Sequence, residues 1–315
     1  MVTKRTGGAS PKKLIPNPFR NGTRYTALSQ VLSLLLITLS ATALAQTAHQ
    51  SADGIDTDHL FSFNKGSDIG EVGRKLIEAD LTGDFGRGSG SYAALMGELS
   101  FEYTALKNLL VSLSIDGTGH RIENVTGMEN RRQIAFDGLT LGVGYQVLDR
   151  AENGTGLTVY AEPYWSQVDQ DTGFLSQGFG ADFTVAITKE LVPGKIMGVF
   201  NLLYQPVVGR SSTDGFGSRQ ATAGFSGGVA FKLTSDLYAT LEGRYLRRYD
   251  SLDFREYSGQ AFFLGPSLSL YLSEHSWLSA GWNAQIFGRS AQASGSLDTT
   301  GFSHNEIVVS WGLDF

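Results

Sequence analysis

Twelve stretches of this chain alternate apolar and polar residues, and in almost every one the same phase is greasy. A period of two is the side-chain repeat of a β-strand, whose successive residues point to opposite faces. The last stretch, 305–315, states the pattern most plainly. Ile307, Val309, Trp311, Leu313 and Phe315 fall on one face, and Glu306, Val308, Ser310, Gly312 and Asp314 on the other. A terminus patterned to its final residue is unusual, because chain ends are normally polar and loosely held.

The other predicted strands are 75–85, 93–104, 109–120, 133–148, 156–166, 176–188, 196–205, 219–233, 237–249, 260–272 and 277–288. The phase slips near Asp137-Gly138, which predicts a β-bulge there. The stretch 196–205 is apolar on both faces, and Asn201 and Gln205 choose its polar side. Crossings from odd to even strands are long, whereas those from even to odd strands are mostly tight. An even strand count with long loops at one end and short turns at the other predicts a membrane barrel. A soluble sandwich also alternates, but it has no need of one greasy, aromatic-rich phase in every strand. The apolar phase is expected to be free of Lys, Arg, Asp and Glu, since Arg or Lys at a bilayer midplane costs about 2–4 kcal/mol. Closure also removes the strand edges that lipid cannot satisfy. The expected fold is therefore all-β, a transmembrane antiparallel β-barrel of about 12 strands over residues 75–315.

Ahead of the barrel, residues 1–45 read as a cleavable signal peptide. Lys4, Arg5, Lys12, Lys13, Arg20 and Arg24 precede a short apolar run that closes on Ala43-Leu44-Ala45. The run from Val31 to Ala45 is too short for a spanning helix. The full chain has 25 Lys+Arg against 31 Asp+Glu, so removing six bases leaves 19 against 31, a net of −12. Such an acidic exported chain is a poor partner for nucleic acid. With no Cys there is neither a disulfide framework nor a lipid-anchor cysteine. Residues 46–74 are expected to form a periplasmic N-terminal segment, either as a tail or folded partly into the lumen.

At its final strand the chain resembles bacterial (Gram-negative) outer-membrane β-barrels, whose last strand ends in Phe or Trp after alternating apolar residues. The resemblance is carried by Val309, Trp311, Leu313 and Phe315, and it implies that they form the signal read by the barrel-assembly machinery. The runs LFSFNKGSDIGEVG (60–73) and TKELVPGK (188–195) are similar to elements of porin-like, uncharacterised proteobacterial barrels. The implied location is the outer membrane, with its lipid and lipopolysaccharide as surroundings and the secretion machinery as the route.

For function, the inward phase is the informative one. Its acids are Glu78, Asp80, Asp84, Glu98, Glu102, Asp116, Glu162, Asp182, Glu242, Glu306 and Asp314, and its bases Lys232, Arg244 and Arg248. An acidic bore favours cations. The lumen-lining candidates are Glu98, Asp116, Glu162, Asp182, Glu242 and Arg244, and the expected function is a passive channel for small polar or cationic solutes. The alternatives are a structural or adhesive barrel with a closed lumen and, more remotely, a lipid-modifying enzyme. Nucleophile and base would have to lie within hydrogen-bond reach. His120 above Asp116 and His304 beside Glu306 are the pairs on offer, and neither carries a triad order. Asp169-Gln-Asp171-Thr-Gly173 starts like a calcium loop, but position 180 is Gly where a carboxylate would be needed. GRGSG at 86–90 has no helix after it to cradle a phosphate. No catalytic residue, metal or cofactor is expected.

Overall fold

The computed structural model describes residues 55–211 and 217–315; the expected signal peptide lies outside them. Twelve strands, each paired antiparallel with its sequence neighbours, form a closed barrel. They are β1 (Lys75–Phe85), β2 (Ser91–Leu106), β3 (Leu109–Glu123), β4 (Arg131–Leu148), β5 (Thr155–Val168) and β6 (Leu175–Val192). After them come β7 (Ile196–Ser211), β8 (Gly217–Lys232), β9 (Leu237–Tyr249), β10 (Tyr257–Ser273), β11 (Ser276–Ser290) and β12 (Asn305–Asp314). β12 closes on β1, with Trp311 opposite Ala79 and Val309 opposite Leu81. One helical turn, α1 (Arg150–Asn153), joins β4 to β5, capped by Asp149 through Ala151 N and ended by Gly154 in the left-handed region.

The greasy phase faces outward. Leu99, Leu113, Leu141, Phe179, Leu241, Trp282 and Phe315 are all exposed on the wall. The predicted bulge is present, with Asp137 the extra residue between Gly138, opposite Asp116, and Phe136, opposite Gly117. Its carboxylate accepts from Val168 N at 3.0 Å.

Several strands run longer than the alternation predicts. β3 reaches Glu123 and β7 reaches Ser211, so the crossings at the loop end shrink; 291–304 is the longest connection between described strands. Lipid enforces alternation only over the roughly 9–11 residues that cross hydrocarbon, whereas ladder pairing continues beyond it. The expectation of a charge-free outer phase holds in the middle of the wall and fails at its ends. Lys75, Arg219 and Arg247 lie on that phase within the predicted strands, and Arg121, Arg132, Lys189, Arg210 and Arg289 lie on it at or just past their limits.

Residues 55–74 are not a free tail; they lie inside the barrel. Ile55, Leu60 and Phe61 pack on Met197, Val199, Ala230 and Tyr238. This explains why β7 is apolar on both faces: its outward Phe200 and Leu202 are exposed on the wall, while its inward Met197 and Val199 meet the plug. A second apolar contact seats Ile69 on Leu110, Tyr160 and Ala186. Gly66 is required by close approach, since a Cβ there would fall 2.0 Å from Thr57 O. Gly156 plays the same part in the wall, where a Cβ would meet Ser67 Oγ at 1.9 Å.

Candidate functional site: a plugged, acidic lumen

The plug is held by polar side chains that the strands aim inward. Glu242, on β9 and fully buried, accepts from Ser62 N at 3.0 Å, Phe63 N at 2.9 Å and Asn64 Nδ2 at 2.8 Å. Thr240 Oγ1 donates to it at 2.9 Å, and Ser267 Oγ completes the set. Asn201, on β7, bonds the next residue in both directions: Lys65 N donates to its Oδ1 at 2.8 Å and its Nδ2 donates to Lys65 O at 2.9 Å. Tyr160, Thr158 and Thr104 then donate to the carbonyls of Gly66, Ser67 and Ile69. Toward the turn end, Arg74 bonds Asp314 at 2.6 Å and Asp58, and His59 stacks on Trp277 at 4.1 Å.

The loop end carries a latch. Asp171, in the connection 169–174, takes Arg87 at 2.7 Å and Arg248. Both guanidiniums also donate to Gly301 O, at 2.7 and 2.9 Å, and Tyr92 Oη donates to Asp171 O at 3.0 Å. One carboxylate thus ties together the loops 86–90, 169–174 and 291–304. Burial works against its charge, but the two arginines hold the Asp171 carboxyl down at about 2. Asp169 makes an ordinary turn, accepting from Thr172 N at 2.9 Å. GRGSG supplies the buried Arg87 of the latch, with Gly86, Gly88 and Gly90 all at positive φ.

Between plug and latch lies a cavity of about 720 Å³. Twelve carboxylates line it, with Lys65, Arg244 and Arg248 as the lysine and arginine side chains and His59 beside them. Four of the twelve are ion-paired: Asp58, Glu162 with Lys65, Asp171, and Glu306 with Arg244. None of the remaining eight forms a direct ion pair with a basic side chain among the described residues. Asp80, Glu98 and Asp116 sit directly opposite one another in a single row across β1, β2 and β3. Glu162 and Asp182 face each other across β5 and β6. Like charges set opposite in a ladder are destabilising, so this wall is built against its own stability. Into it projects Lys65, half-exposed, with Nζ 5.0 Å from the centre of the Tyr160 ring.

Five of the six lumen-lining candidates therefore stand on the cavity: Glu98, Asp116, Glu162, Asp182 and Arg244. Glu242 does not. It points inward as the alternation requires, but the plug covers it, and backbone and side-chain donors surround its carboxylate. Sequence reasoning missed Asn201 as a clamp, Asp171 as a latch and Lys65 as the resident cation. The two-faced greasiness of β7 was the available signal for the first. The offered pairs are separated: His120 Nε2 lies 2.8 Å from Gln170 O, whereas Asp116 accepts from Thr140 Oγ1 at 3.0 Å. Glu306 is taken by Arg244, away from His304. Among the described residues no group of three His, Asp or Glu side chains has the geometry to hold a metal. Val309, Trp311, Leu313 and Phe315 all lie on the outward phase of the closing strand, and Phe315 packs 6.5 Å from Phe101.

Residues 53–315 match the family described as "Family of unknown function (DUF6662)", and the chain belongs to that family. No curated protein matches it. Among solved structures it is similar to the COG4313 outer membrane channel from Pseudomonas putida F1, at 10% identity and a TM-score of 0.55, covering 79% of this chain and 98% of that one. The NanC porin gives 11% identity and a TM-score of 0.45 over 75% and 98% of the two chains. LpxR from Salmonella typhimurium gives 11% and 0.40 over 76% and 99%. At these identities the likeness defines a fold, that of outer-membrane β-barrels.

Proposed function

We propose that this protein is an outer-membrane channel that passes small cationic or polar solutes through an acidic chamber gated by its own N-terminal segment. The observation that carries the reading is the chamber's excess of carboxylates over basic side chains. Eight carboxylates that make no direct ion pair face one chamber, in a low-dielectric wall that focuses their field on whatever enters. Lys65 shows what such a wall accommodates: a primary ammonium paired to Glu162 and lying over an aromatic ring. A solute ammonium would compete for the same place. The likeness to a solved outer-membrane channel agrees with this reading at the level of fold.

The test is a planar-bilayer recording of the refolded chain 46–315 under a salt gradient. Small, cation-selective conductance is expected, with selectivity falling as salt rises because the carboxylates are screened. A silent barrel would leave the second reading, a closed structural barrel, which the plug and latch at the two ends favour. Residues 1–45 would direct export, and the row Val309, Trp311, Leu313, Phe315 would direct insertion. Removing Phe315 is then expected to deplete heat-modifiable barrel from the outer membrane without blocking export. Normal outer-membrane levels would refute that role.

A further inference from the structure

The outer wall carries a charge pattern opposite in sign to the lumen. Arg121, Arg132, Arg210, Arg219, Arg247 and Arg289 all stand on the outward phase, each within two residues of the loop end of its strand. Glu123, bonded to Arg121 at 3.0 Å, is the acid that shares this phase within the described strands. The next outward positions toward the middle are apolar: Ile134 and Phe136 below Arg132, Val208 below Arg210, and Phe287 below Arg289. The arginines thus form a rim at the upper border of the greasy band.

Register gathers them into posts. Arg121 is directly opposite Arg132 across β3 and β4. Arg247 and Arg289 flank Gln260 from either side, in β9 and β11, which puts their strands about 9–10 Å apart. Facing guanidiniums repel unless an anion sits between them, and phosphate is the anion that the guanidinium fork fits best. Arg132 has no hydrogen-bond or ion-pair partner among the described residues, and Arg247 Nε is buried without an acceptor. Tyr249 and Tyr257 lie 5.6 and 5.0 Å from the Arg247 guanidinium, the aromatic company expected where hydrocarbon meets headgroups.

We propose that this rim binds the phosphate groups of membrane lipids in the leaflet at the loop end, at two posts, Arg121/Arg132 and Arg247/Arg289, with the acyl chains on the apolar band below. A lipid, rather than a soluble phosphate, is the occupant because the arginines border that band and not the mouth of the lumen. The inference rests on the barrel standing in a membrane, and not on its conducting.

The experiment takes the refolded chain 46–315 in detergent and measures retention of lipid A carrying both phosphates against enzymatically dephosphorylated lipid A, by native mass spectrometry. The wild type should retain the phosphorylated form on the order of tenfold better. Arg121→Gln/Arg132→Gln and Arg247→Gln/Arg289→Gln should each lose one bound equivalent, and Arg132→Gln alone should weaken the first post without disturbing the fold. Equal retention of the two lipids, or undiminished binding by heat-modifiable double variants, would overturn the proposal. Displacement of the lipid by millimolar inorganic phosphate would overturn the lipid assignment and leave a general anion site. Retention is read whether or not the pore conducts, so failure here is separate from failure of the channel reading.

Discussion

Glu242 on β9 and Glu98 on β2 both point into the lumen, and nothing in the alternation tells them apart. Their surroundings differ completely. Glu242 is covered by the plug and surrounded by five donors, three of them from residues 62–64. Glu98 faces the open chamber with Asp80 on one side and Asp116 on the other. A buried carboxylate saturated by hydrogen bonds acts as a clamp, whereas a carboxylate among its own kind is a field source whose presence costs stability. Glu242 belongs to the seat that β7, β9 and β10 make for residues 60–65; Glu98 belongs to the acidic rows on β1–β3 and β5–β6 that a solute would meet. Charge counts treat the two sides alike, and donor counts separate them.

The sharpest break of this comparison is Glu242→Ala. It strands the N–H groups of Ser62 and Phe63 in a buried site, at roughly 1–3 kcal/mol for each unsatisfied donor, and removes the carboxylate that orders Asn64. The plug should loosen on this side. Limited proteolysis should then cut within 55–74, and conductance should rise severalfold. An unchanged cleavage pattern would mean that the apolar contacts and the other hydrogen bonds hold the segment without Glu242.

Neutralising the other side should do nearly the opposite. Glu98→Gln removes the middle charge of the Asp80–Glu98–Asp116 row and so relieves two facing repulsions, each worth about 0.2–1 kcal/mol. Barrel stability, read as the temperature of heat-modification, should hold or rise slightly, while cation-over-anion permeability falls. Adding Asp182→Asn should deepen the loss of selectivity with little change in conductance, because the bore keeps its size. A drop in stability would show that Glu98 is a bracing residue like Glu242.

The difference between the two glutamates also marks how far the sequence could be read. All twelve strands, the bulge at Asp137 and the inward acids follow from period-two alternation, because lipid imposes that pattern locally on every strand. What lies above an inward residue is a long-range fact. Glu242 meets a segment 180 positions away in sequence, and no periodicity encodes that. The plug did leave a trace in β7, whose inward Met197 and Val199 are too greasy for a wet lumen, and in the apolar Ile55, Leu60, Phe61 and Ile69 of a supposed tail. The arginine rim was written in the same alternating phase as the lipid-facing residues, but an outer phase treated as uniformly apolar hides it. The latch was illegible for a different reason: Asp171, Arg87 and Gly301 come from three separate loops, where alternation gives no register.

That latch yields the smallest expected effect, and it tests whether the chamber has one gate or two. Asp171→Asn keeps the shape of the side chain but removes the charge that draws Arg87 and Arg248 together. The Tyr92 bond to the Asp171 carbonyl and both arginine bonds to Gly301 O survive the change, so the loops should slacken without coming apart. The pH dependence has a definite sign. Because the carboxyl is held down at about 2, below its ordinary value near 4, its contribution is complete above that ordinary value and is lost only as pH falls through about 2. Wild-type conductance should therefore show no latch-dependent step between pH 4 and 8, and the variant should conduct slightly more throughout that range. If instead Asp171→Asn and Glu242→Ala raise conductance equally, the loop end is as tight a gate as the plug, and the asymmetry between the two ends of the lumen disappears.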